Sequence, residues 1–63
     1  MSKYTVWTDT NVGEFVEANK VIVGNNTVSF IVEDGRISVT MKTYPLKEFM
    51  KYNPDWKLLE NTD

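Results

Sequence analysis

Between Val21 and Met41 apolar and polar side chains alternate with the two-residue period of a β-strand, and two turn-forming pairs, Asn25-Asn26 and Asp34-Gly35, break the run. Asp-Gly is favoured in two-residue type I′ turns, where both positions take positive φ. A turn there sets Glu33 against Arg36, Val32 against Ile37, Phe30 against Val39 and Val28 against Met41. That register places Val28, Phe30, Val32, Ile37, Val39 and Met41 on one face, with Ser29, Ile31, Ser38 and Thr40 on the other. Glu33 and Arg36 then form an opposite-charge pair beside the turn. The Asn25-Asn26 turn sets Val23 against Val28 and Val21 against Phe30, which completes a three-stranded meander over about residues 20–43.

Upstream, Phe15, Val16 and Ala18 are strand-like but out of phase with Val21 and Val23, so a bulge or bend is expected at Asn19-Lys20. A first strand is expected over Lys3 to Thr8, followed by the polar turn Asp9-Thr10-Asn11. After the meander the period lengthens: Leu46, Phe49, Met50 and Asn53 have helical spacing, Pro45 suits a first helical position, and Pro54 ends the segment. Asp55 to Glu60 reads as a short closing strand or a helical turn, and Asn61 to Asp63 as a fraying end. The expected fold is mainly β with a minor helical part. It is an antiparallel meander or small barrel of four to five strands with one short C-terminal helix, in a single domain over residues 1–63.

Length changes this picture. A chain of 63 residues buries about 60% of the surface it exposes when unfolded, and its core is thin. With no cysteine and no histidine, disulfides and a zinc site are closed as remedies, which leaves self-association. No basic flank followed by an apolar run opens the chain, and no stretch is long enough to span a bilayer, so a cytoplasmic location and no membrane partner are expected. Asn25-Asn26-Thr27 matches the glycosylation triplet but lies in the expected turn.

Candidate chemistry is sparse. Proton transfer and thiol chemistry most often use the two residue types that are missing, and no glycine-rich phosphate cradle is present. Asp9, Glu14 and Glu17 match no calcium-loop spacing and read as a solvated edge. No catalytic residue, metal or cofactor is expected, and the chain reads as a non-enzyme. A net charge of −2 disfavours a general grip on nucleic acid, although Lys47, Lys51 and Lys57 could form a basic edge near Tyr52 and Trp56. The expected outer sheet face carries Ile22 and Ile31 among small hydroxyl residues, with no aromatic before Tyr44. Such a face suits a protein surface or a second copy, unless the N-terminal strand or the helix closes over it.

The expected function is a non-enzymatic protein-interaction module acting on another protein, on itself, or on both. Its style is that of bacterial or phage accessory proteins that inhibit a host factor by occupying its surface. Trp7, Ile22, Ile31, Tyr52 and Trp56 are the expected contact residues. Single-stranded nucleic-acid binding and sequestration of a small ligand between subunits are the alternatives.

Overall fold

A computed structural model describes residues 2–55. Five antiparallel strands form two sheets, followed by one short helix. In the first sheet β1 (Ser2–Asp9) pairs with β2 (Val12–Ala18) around the Thr10-Asn11 turn, with Thr8 as an extra residue between Trp7 and Asp9. In the second, β3 (Lys20–Val23), β4 (Thr27–Asp34) and β5 (Ile37–Pro45) form the meander in that order. No closed barrel forms among the described residues.

The chain changes sheets at Asn19, the bend that the phase break between Ala18 and Val21 requires. There the backbone N–H of Asn19 donates to Ile31 O at 3.0 Å. Its carboxamide grips the backbone of Glu33, with Nδ2 donating to Glu33 O at 2.7 Å and Glu33 N–H donating to Oδ1 at 2.8 Å. A side chain thus stands in for one residue of a strand.

The turn after β3 is as expected, with Val23 opposite Val28 and Val21 opposite Phe30. The next differs from the expected register. Asp34 stays in the strand opposite Ile37, and the two turn residues are Gly35 and Arg36. Gly35, at φ 63°, takes the first turn position, where both primed hairpin turns need a positive angle. Glu33 therefore faces Ser38, not Arg36, and Val32 faces Val39. A shift of two residues leaves the side chains from Ile31 to Thr40 on their expected faces.

A bulge adds a further change. Ile31 pairs with Thr40 and Phe30 with Lys42, so Met41 is the extra residue. Beyond it Val28 lies opposite Tyr44 instead of Met41. Tyr44, expected on the outer face, is buried in the core.

That core consists of Tyr4, Val6, Val16, Ala18, Val28, Phe30, Tyr44 and Phe49, with Val21, Val23 and Leu46 packed against it. Phe30 is fully buried at its centre, 5.2 Å from the Tyr4 ring, 5.8 Å edge-on from Tyr44 and 6.1 Å from Phe49. One side chain thereby ties together both sheets and the helix.

The helix α1 (Leu46–Tyr52) follows β5 directly. Pro45 is its N-cap, with ψ 129°, and not its first helical residue. At the other end Asn53 caps it: its N–H and its Nδ2 both donate to Phe49 O, at 2.9 and 2.8 Å. The same carboxamide clasps β1, accepting from Trp7 N–H and donating to Trp7 O, each at 2.9 Å. Among the described residues no helix is long and apolar enough to cross a membrane.

Candidate apolar trough

The β4–β5 hairpin outruns its support. β3 ends opposite Ile31, so Val32 to Val39 form a two-stranded projection. Apolar side chains on its inner face reach past the edge of β2. Val32, Val39 and Met41 line an open trough with Phe15 and Glu17 of β2, enclosing about 540 Å³. Phe15 is 74% exposed and Ile37, near the hairpin tip, 68%, while Val39 and Met41 are about half exposed.

Glu17 brings one carboxylate into the trough's lining, and further charges lie nearby. Lys3 Nζ lies 5.5 Å from the centre of the Phe15 ring, within the range of a cation–π contact. Glu14 pairs with Lys42 at 3.5 Å, and Lys42 Nζ lies 5.9 Å from the Tyr44 ring centre. Burial, reinforced by the negative charge of Glu14, pushes the Tyr44 phenol up to about 12. The hydroxyls of Tyr44 and Tyr4 are buried and neither makes a hydrogen bond of good geometry, the Glu14 carboxylate being the polar group that acts on Tyr44.

The five expected contact residues fall in different places. Trp7 and Tyr52 come together, lining with Glu48 and Phe49 a cleft of about 40 Å³, room for about two or three waters. The Trp7 ring covers the Cα of Gly13, where an added Cβ would sit 3.0 Å from the indole; an aromatic side chain here covers a strand glycine. Ile22 is exposed on the outer face of the second sheet, next to Ile31 along the diagonal, as expected. Ile31, however, is only 8% exposed. Lys20 and Thr40 flank it on the neighbouring strands, and the Lys20–Glu33 ion pair at 3.2 Å spans the same face. The open patch of two isoleucines is therefore reduced to Ile22. Trp56 and the closing segment at 56–60 lie outside the described residues.

The sequence pattern places Val32, Ile37, Val39 and Met41 on the core face but does not show that Ile37, Val39 and Met41 stay about half or more exposed there. The signal was present in strand lengths: a third strand beginning at Lys20 runs out opposite Ile31. Phe15 was read only as strand-like.

Glu14 and Glu17 lie on opposite faces of β2, and among the described residues no group of three acidic side chains is placed to hold a metal ion. Compared with protein families, curated proteins and solved structures, the chain matches none.

Proposed function

We propose that this protein is a non-enzymatic interaction module that binds an apolar segment of another protein in the trough beside β2. The observation that carries the reading is the apolar lining of Phe15, Val32, Val39 and Met41, interrupted only by Glu17 and continued toward the hairpin tip by Ile37, much of it exposed. Contiguous apolar surface rimmed by charge marks interaction sites on small soluble domains, whereas scattered exposed side chains need no explanation. Blocking a host factor by occupying its surface is the mode of action such a site serves. The test is capture from lysate with wild type and with Met41→Glu, after nuclease and a salt wash. A stoichiometric protein retained by wild type, and by an Ile22→Asp control, but lost with Met41→Glu is the expected result. Equal retention by Met41→Glu would remove the trough from the binding surface.

One observation favours a second reading. Trp7 and Phe15 are exposed on the outward face of the first sheet with Lys3 beside Phe15, an arrangement on which bases of single-stranded nucleic acid can stack. Acidic Glu17, opposite Lys3, weakens it. Binding of an oligonucleotide that falls steeply with salt and is lost in Phe15→Ala would put this reading first.

A further inference from the structure

The strand edges of this protein are not equally protected. β3 has only four residues, β2 carries Glu14 and Glu17, and the edge of β1 is occupied at Trp7 by Asn53. Short length, charge and cover are the usual devices against pairing with another chain. β5 has nine residues, sits at the edge of its sheet, and from Ile37 to Met41 carries no charge.

Its hydrogen-bonding groups can be oriented from three hydrogen bonds on the far side of β4. Asn19 bonds both backbone groups of Glu33 and the carbonyl of Ile31, so these point away from β5. Residues directly opposite one another in an antiparallel pair point their groups either both inward or both outward. Ser38, opposite Glu33, and Thr40, opposite Ile31, therefore present N–H and C=O outward along an edge that no other described strand pairs with.

We propose that β5 pairs antiparallel with β5 of a second copy about a two-fold axis at Val39, joining the two meanders into one six-stranded sheet. In that register Ser38 meets the partner's Thr40 and Thr40 meets the partner's Ser38, which satisfies four outward groups on each chain. Val39 meets the partner's Val39, and Ile37 meets the partner's Met41, so the exposed apolar residues lie side by side on the same face. No like charges meet within the paired stretch. The bulge at Met41 bends the strand beyond it and keeps Lys42, held toward Glu14, out of the ladder. A second copy fits this edge because the pattern from Ile37 to Met41 is its own antiparallel complement. The two troughs then lie next to each other on one face of the dimer.

The inference uses the surface proposed above for partner binding but stands on edge geometry, and the two fail separately. Loss of partner capture with an intact dimer would sink only the first, and a monomer that still captures its partner would sink only this one.

Residue 39 on the axis gives a specific test. Val39→Lys and Val39→Glu each place like charges directly opposite one another, on a half-exposed position where a charged side chain leaves the fold intact. Sedimentation over about 10 µM to 1 mM, the range that a small interface requires, should show wild type reaching twice the chain mass and each variant alone staying monomeric. An equimolar mixture of the two variants should return to the dimer. A wild type that stays monomeric throughout overturns the proposal. Variants that still dimerise, or a mixture that stays monomeric, also overturn it, since the axis would then not pass through Val39.

Discussion

At the scale of single residues, Tyr44 shows how one insertion changes what a side chain must tolerate. The bulge at Met41 delivers it to the core, where its ring packs against Phe30 and Phe49 but its hydroxyl makes no hydrogen bond of good geometry. A buried polar group without a partner carries its full desolvation cost, and replacing it with an apolar group of the same shape is nearly neutral or stabilising. Tyr44→Phe is therefore expected to match or exceed wild type in urea unfolding, by up to about 1 kcal/mol. Its pH dependence has a definite sign. The folded phenol titrates at about 12 against an ordinary value of about 10, so the unfolded chain loses the proton first. The stability associated with the neutral phenol is complete below pH about 10 and is lost as pH rises toward about 12. Wild type should lose more stability than Tyr44→Phe across that window; parallel curves would place the hydroxyl in contact with water.

At the scale of elements, the β4–β5 turn depends on one backbone angle. Gly35 sits at φ 63° with open space where a Cβ would point, so a substitution there costs backbone strain and not a clash. Left-handed backbone costs an L-residue roughly 1–2 kcal/mol, more for a β-branched one. Gly35→Val is expected to lower the urea midpoint accordingly and Gly35→Asn to lower it less; equal effects would point to crowding. This turn also marks how far the elements were legible in sequence. The strands, the Asn25-Asn26 register and the helix followed from period and turn residues, because those signals are local. The faces of the second hairpin survived a misplaced turn because the shift was two residues, one full period of the strand. The bulge left a fainter signal: Lys42 and Thr43 are both polar, so Tyr44 falls one position out of phase with Ile37, Val39 and Met41, and the demand of the core for Tyr44 over Met41 opposite Val28 selects the shift. The candidate site was hidden for a related reason. Face and period can be read along one strand, but cover comes from other elements, and the reach of β1 and β2 over the hairpin is a tertiary fact.

At the scale of the whole molecule, so few side chains make up the core that polar joints matter. Asn53 links the C-terminus of α1 to the outer edge of β1, and Asn19 links the crossing point between the sheets to β4. Asn53→Ala would leave the partly buried backbone groups of Trp7 unpaired, each costing less than the about 1–3 kcal/mol of a fully buried group. A domain of this length has only roughly 3–9 kcal/mol in total. Thermal unfolding should show a large loss for Asn53→Ala and a smaller one for Asn19→Ala, whose contacts are exposed. Asn53→Asp would set a carboxylate against the carbonyls of Trp7 and Phe49, raising its folded pKa above the unfolded value. That variant should be most stable at acid pH and weaken as pH rises, while a flat profile would mean that the helix end had moved away from β1. The two joints also differ in how they age. An asparagine converts to aspartate when the next residue's backbone nitrogen, carrying its hydrogen, closes a ring on the carboxamide. Pro54 has no such hydrogen, so the residue that follows the helix also shields Asn53 from this slow chemistry, whereas Asn19, followed by Lys20, has only its grip on Glu33 to hold it back.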